Sequence, residues 1–174
     1  SENGRYYLDR LNRDAIDDGK SEANILAKLD ELSHPNLPKI KTFPTRDKEK
    51  GLYYWAEEYV EDKLTDRLVN GPLDEDVAIR IANDIASVLA AVKKLGYCHG
   101  DLSLDNIGLS GDAVKVLDWG LCSKISDSAS EEGGTAFVGN RRARAPEAYD
   151  HLKLTDKADV WSLGVIMYRM LSGV

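Results

Sequence analysis

Cys98-His99-Gly100-Asp101-Leu102-Ser103-Leu104-Asp105-Asn106, followed by Val116-Leu117-Asp118-Trp119-Gly120, is the stretch whose reading decides the fold. It sets an Asp and an Asn on one loop, then a second Asp before a Trp-Gly turn beyond a short hairpin. Any one of these alone reads as a loop cap, because Asp and Asn side chains bond their own backbone in turns. Together they supply two carboxylates and an amide oxygen, hard donors suited to a magnesium ion and to orienting a hydroxyl.

Working outward, Ala145-Pro146-Glu147 and Asp159-Val160-Trp161-Ser162-Leu163-Gly164 follow downstream. Upstream, Glu22-Ala23-Asn24-Ile25-Leu26 precedes His34-Pro35-Asn36-Leu37, and Trp55-Ala56-Glu57-Glu58-Tyr59-Val60 ends a strand-like run. In that order and spacing the signals resemble a eukaryotic-type protein kinase domain, divergent and Ser/Thr-kinase-like, over almost the whole chain. Aminoglycoside and choline kinases are similar in His-Gly-Asp and in Asp-Trp endings, but Ala-Pro-Glu and the Asp-Val-Trp helix belong to the protein-kinase pattern. Asp-Trp-Gly also occurs in casein-kinase-II-type enzymes. The implied fold class is α+β and bilobal. Residues 1–60 would form a partial, β-rich N-lobe of strand, helix, two strands and hinge. Residues 61–174 would form a mostly helical partial C-lobe that ends near its central helix.

The resemblance implies roles for single residues. Asp101 would orient the substrate hydroxyl, and Asn106 and Asp118 would ligate Mg2+ on ATP phosphates, so ATP and Mg2+ are the implied cofactors. Glu22 would face the phosphate-binding side from the small-lobe helix. Glu57 takes the gatekeeper place, and backbone groups of Glu58 and Val60 would face the adenine edge. His99 and Trp119 would stack in the core with Leu26, and Asp159 would hold the backbone of the catalytic loop. Asp105 reads as a solvated loop residue.

The chain also departs from the family pattern. Asp9, or Arg10 after a slide of one, stands where the family has its strand Lys, and Arg is no drop-in for an ammonium. The first residues include no Gly-rich loop over the phosphates; Gly4 reads as a turn residue. Gly100 replaces the Arg of His-Arg-Asp, Ser103 stands where Ser/Thr kinases carry a Lys, and Asn140 replaces a Thr. Arg141, Arg142 and Arg144 either restore positive charge or form a surface cluster. Two readings follow: a working, minimal protein kinase, or a pseudokinase that serves as a nucleotide-binding or scaffold module. Ser123, Ser126, Ser128, Ser130 and Thr135 are either phosphorylation sites or plain solvated residues of a loop.

Composition narrows the rest. The 174 residues are 43% hydrophobic and 30% charged, ordinary for a globular chain, with a net charge of -7 that gives nucleic-acid binding no support. No apolar run approaches the roughly 18 residues of a membrane span, and no signal peptide is visible. The two cysteines, Cys98 and Cys122, read as small buried hydrophobes in a reducing compartment, cytoplasmic by default. Hydrophobic periodicity predicts a helix over 21–32, strands over 37–43 and 52–60, a long helix over 74–95 stopped by Gly96, a hairpin about Ser110-Gly111-Asp112, a loop from Ser123 to Gly134, and a helix capped by Thr155 or Asp156. Along the long helix Ile81, Ile85, Leu89 and Val92 point inward. The last helix carries Trp161, Met167 and Met170, which predict an uncovered apolar surface met by a partner chain, a second copy or a rearranged segment. A protein substrate or binding partner completes the expected contacts.

Overall fold

The acidic first turn and basic last turn of the long central helix show how directly this sequence encodes its elements. In the computed structural model, which describes residues 22–47, 52–125, 145–146 and 155–174, that helix (α3) spans Glu75–Lys94. Glu75 and Asp76 lie at its N-terminus and Lys93 and Lys94 at its C-terminus, each sign against the opposite end of the helix dipole. Ala78, Ile81, Ala82, Ile85, Val88 and Val92 form one buried stripe; Leu89, expected inward, is half-buried at its edge. Gly96 ends the helix at φ +81°, a left-handed conformation that glycine adopts freely, and its N–H donates to the Lys93 carbonyl at 2.8 Å.

Helix α1 spans Glu22–Glu31, and strands β1 (Ile40–Asp47) and β2 (Leu52–Glu57) pair antiparallel behind it. Register shifts interrupt β1 between Ile40 and Thr45, around Pro44, which has no N–H to give the ladder. After the hinge segment come β3 (Asp62–Lys63), the short helix α2 (Leu64–Leu68) and α3. Strand β4 (Tyr97–Cys98) leads through a 3-10 turn at Leu104–Asn106 into the hairpin β5 (Ile107–Ser110) and β6 (Ala113–Val116). Strands β3, β5 and β6 make one small sheet, and β4 pairs with β7 (Ser123–Lys124) in another. Helix α4 spans Asp156–Ser172 and packs on α3.

Thr155 caps α4, its hydroxyl accepting from the Lys157 N–H at 3.2 Å. Ala158, Asp159, Ser162, Ile166 and Met170 are its buried face. The far end is tied down by the Leu73 N–H, which donates to the Met170 carbonyl at 2.7 Å. Met170 is therefore fully buried, contrary to the expectation that it lacks neighbours, because the α2–α3 connection folds over it. The opposite face of α4 does remain open: Val160, Trp161, Tyr168 and Leu171 are exposed, and Met167 is half-buried.

Both expected small-lobe strands differ in their limits, and the first also runs on to Asp47. The first expected strand, over 37–43, begins only at Ile40, because the preceding backbone is used elsewhere. Asn36 accepts from the Val116 N–H at 2.9 Å and its side chain donates to the Val114 carbonyl at 2.9 Å. The second, over 52–60, ends at Glu57, where the chain turns into the hinge. The expected loop from Ser123 opens instead as a strand, since β4 offers its edge: Tyr97 pairs with Lys124 and Cys98 with Ser123. The strand expected ahead of the first helix, Gly4, Asp9, Arg10, the loop positions Ser126, Ser128, Ser130 and Thr135, Asn140, Arg141, Arg142, Arg144 and Glu147 lie outside the described residues.

Candidate active site

The loop that carries Asp101 is held from below by α4. Buried Asp159 accepts from the His99 N–H at 2.7 Å and from the Gly100 N–H at 3.0 Å. Burial pushes the Asp159 carboxyl up from its ordinary range, against the pull of the two backbone donors. His99, itself fully buried, spends both ring nitrogens on backbone. Its Nε2 meets the Leu117 carbonyl at 3.1 Å and its Nδ1 accepts from the Asp101 N–H at 3.2 Å. A carbonyl only accepts and an amide N–H only donates, so the ring is the Nε2–H tautomer and has no proton-transfer task. The Trp119 ring lies 4.4 Å from His99, tilted by 52° rather than stacked, and its Nε1–H donates to the Val116 carbonyl at 3.1 Å. Leu26 and Trp119 belong to the same buried cluster, as expected.

Asn106 ends the 3-10 turn facing Asp101. Its Nδ2 donates to the Asp101 carbonyl at 2.8 Å and, more weakly, to Asp101 Oδ2 at 3.4 Å. With the nitrogen so committed, Oδ1 is the end turned away from Asp101, a hard oxygen donor. Asp118 follows directly on Leu117, whose N–H donates to the Asn106 carbonyl at 2.8 Å, so the two segments are laced together. Asp118 sits at φ +60°, unusual for a residue with a side chain, and its carboxylate is exposed. Backbone held in that region is a recurrent mark of functional positions. Asp105 is exposed as expected and accepts from the Thr65 hydroxyl at 2.7 Å.

Asn106 and Asp118 open into a cavity of about 270 Å³ whose other walls are Trp55, Glu57, Glu58, Tyr59, Val60, Glu61, Lys63, Leu117 and Trp119. The structure thus brings the hinge residues Glu58 and Val60 and the gatekeeper-place Glu57 together with the Asn-Asp pair. Asp101 reaches this group through Asn106. Glu22 is the first residue of α1; its side chain is outside the described set. Among the described residues no group of three or more His, Cys, Asp or Glu gathers as a metal site. Asn106 and Asp118 would supply two oxygen ligands, which fits a magnesium ion that takes its remaining ligands from phosphate and water.

One part of the site is not foreseen by motif. Lys115, buried in β6, donates from Nζ to Glu58 Oε2 at 3.0 Å and to the Leu37 carbonyl at 3.0 Å. The Lys39 N–H adds a bond to the same Glu58 oxygen at 3.2 Å. Burial raises the Glu58 carboxyl, but the hydrogen bonds and charges of Lys115 and Lys39 outweigh it and hold the group below its ordinary range. The only sequence signal is a Lys between Val114 and Val116 on a short strand, which strand alternation ordinarily turns to solvent. The Cys98 thiol is pushed up to about 11 by burial and then by the Asp159 charge, and burial also raises Cys122. Both therefore pack as inert hydrophobes.

Comparison with known proteins agrees with this arrangement. The family model described as the protein kinase domain matches residues 8–174. A probable serine/threonine-protein kinase of Encephalitozoon cuniculi is 33% identical over 154 residues, covering 88% of this chain and 29% of that protein. The 3-phosphoinositide-dependent protein kinase 1 of Arabidopsis thaliana is 30% identical over 83% of this chain and 31% of its own length. The ephrin type-B receptor 3 of Mus musculus is 30% identical over 95% of this chain and 16% of the receptor. The chain spans less than a third of the length of each of these relatives. Among the described residues no helix is long and apolar enough to cross a membrane. With a family match over nearly its full length, an antiparallel two-stranded sheet beside α1 and a helical remainder, the chain belongs to the protein kinase domain family and has its α+β, two-lobed fold.

Proposed function

We propose that this domain binds Mg-ATP in the cavity between the hinge and the Asn106–Asp118 pair and transfers a phosphoryl group to a Ser or Thr hydroxyl of a protein. The observation that carries the reading is the joint: Asn106 binds Asp101 with its nitrogen and shares one cavity with Asp118 and the hinge. Asp101 orients the incoming hydroxyl and takes its proton, which is most of what a protein can add to a loose phosphoryl-transfer transition state. Asn106 and Asp118 would hold magnesium, which, when bound, offsets phosphate charge. The Glu58 carbonyl and Val60 N–H meet the adenine edge. Among the described residues neither takes part in a backbone hydrogen bond, whereas the Glu58 N–H is spent on the Lys39 carbonyl at 2.8 Å. Glu22 stands at the phosphate side, with residues 1–60 as the smaller lobe and 61–174 as the larger.

A pseudokinase is the second reading, favoured by one feature of the loop. Ser103, where Ser/Thr kinases carry a Lys, is buried, so this position brings no cation to the transferring phosphate. Loss of such an electrostatic contact commonly costs 100-fold or so in rate.

A thermal-shift titration of ATP with and without Mg2+, run beside incorporation of labelled phosphate, tests the assignment. The expected outcome is a Mg-dependent rise in Tm that Asp118→Asn abolishes. Incorporation should fall by roughly 100-fold or more in Asp101→Asn while ATP still stabilises that variant. Stabilisation without incorporation on any protein substrate would establish the pseudokinase reading instead.

A further inference from the structure

We propose that Thr65 is a positioning residue for the metal end of the site. By holding Asp105 it fixes the turn that presents Asn106, and so sets how well that turn can hold magnesium. This inference rests on the Mg-ATP reading above and names a residue that governs its metal affinity without touching the metal.

The turn needs an outside hold. Leu104–Asn106 is a single 3-10 turn, a form whose hydrogen bonds are poorly aligned. Ser103, which precedes it, makes no side-chain cap, and the turn closes on two backbone bonds. The Asn106 N–H donates to the Ser103 carbonyl at 3.1 Å, and the Ile107 N–H donates to the Leu104 carbonyl. Asn106 is also tied to Asp101 and to Leu117, but these bonds fix the end of the turn and leave its middle alone. Asp105 is that middle. Its Oδ1 accepts from the Thr65 hydroxyl at 2.7 Å, and a carboxylate acceptor makes such a bond stronger than one between neutral groups.

Thr65 can serve as an anchor because its own element is fixed. It is the second residue of α2; Leu64 before it is fully buried, and Lys63 pairs with Gly108 on β5. Strand β5 starts at Ile107, the residue after Asn106. The Lys63–Gly108 pairing and the Thr65–Asp105 bond therefore close a small ring that has Asn106 on its rim. The ring reaches the far side of the cavity as well. Only Glu61 separates Val60 from β3, and Lys63 lines the cavity with Asn106 and Asp118.

Calorimetric titration of Mg2+ into the whole chain at fixed ADP tests the tether. Thr65→Val removes the hydroxyl at nearly constant volume and should weaken Mg2+ binding about 3- to 10-fold, the range of one hydrogen bond. Thr65→Ser keeps the donor and should restore the parent value. Affinity for ADP without Mg2+ should be the same in all three proteins, a split that a general loss of stability would not produce. In the metal-free state, amide hydrogen exchange at Asn106 and Ile107 should quicken several-fold in Thr65→Val. Asp105→Ala should add no further loss to Thr65→Val, since both remove one bond. Should Thr65→Val not fold, Thr65→Ala set beside Thr65→Ser makes the same comparison. Unchanged Mg2+ affinity in the variant without the hydroxyl, a loss that Ser fails to restore, or additive losses with Asp105→Ala would each overturn the inference and leave the Mg-ATP reading standing. A parent protein that binds ADP with no dependence on Mg2+, or not at all, would remove that reading and the inference with it.

Discussion

Single side chains do unequal work in this domain, and Glu58 shows how. Its backbone sits in the hinge, while its carboxylate is locked to buried Lys115 and to the Lys39 N–H. Because these contacts lower its folded-state pKa, its stabilisation is complete above the ordinary value of 4.5 and is lost as pH falls through the depressed value. The melting temperature of Glu58→Gln should therefore lie below that of the parent by a constant margin above pH 5.5 or so, and the margin should close on acidification. A margin independent of pH down to about 3 would refute the linkage. Asp101, Asn106 and Asp118 stand out in the sequence because they set two carboxylates and an amide, all hard oxygen donors, on neighbouring loops. Lys115 was not legible. A Lys flanked by two valines looks like a solvent-facing strand position, and only the fold reveals that Glu58 and the Leu37 carbonyl wait on its side of the sheet.

At the scale of elements, the three longer helices are legible in the sequence to within a residue or so, since caps, dipole charges and apolar stripes are local signals, whereas the five-residue α2 is too short to show a stripe. Strand limits are not legible, because pairing partners are distant. Residues 36–37 spend their backbone on turns and on β6 instead of extending β1, and Ser123–Lys124 becomes a strand only because Tyr97–Cys98 lies beside it. Close approach between elements makes one position especially telling. A Cβ at Gly108 on β5 would lie 2.6 Å from Val60 Cγ1 and 3.0 Å from Leu117 Cδ1. Gly108→Ala should force Val60 toward the cavity, destabilise the domain by about 1–3 kcal/mol through overpacking, and weaken Mg-ADP binding more than that loss of stability explains. Chemical denaturation beside calorimetry measures both effects; a variant with unaltered affinity would separate the hinge from the hairpin.

The whole molecule is organised around one seam. Helix α4 grips the Asp101 loop through Asp159, the loop grips the β5–β6 hairpin through His99 and Asn106, and the hairpin grips the Glu58 segment through Lys115. Both thiols of the chain lie on this seam: Cys98 on β4, its Sγ 3.6 Å from the Ser123 carbonyl, and Cys122 one residue before β7. Their burial turns them into a clock for opening. At pH 8 a maleimide should modify the native protein roughly 100-fold or more slowly than the unfolded chain, given a Cys98 thiol moved from 9.0 to about 11. Mg-ATP, by joining the two sides of the cavity, should slow the reaction again, and labelling as fast in the native as in the unfolded state would contradict the closed seam. The two buried cysteines thus time how often the Asp101 loop lets go of its neighbours.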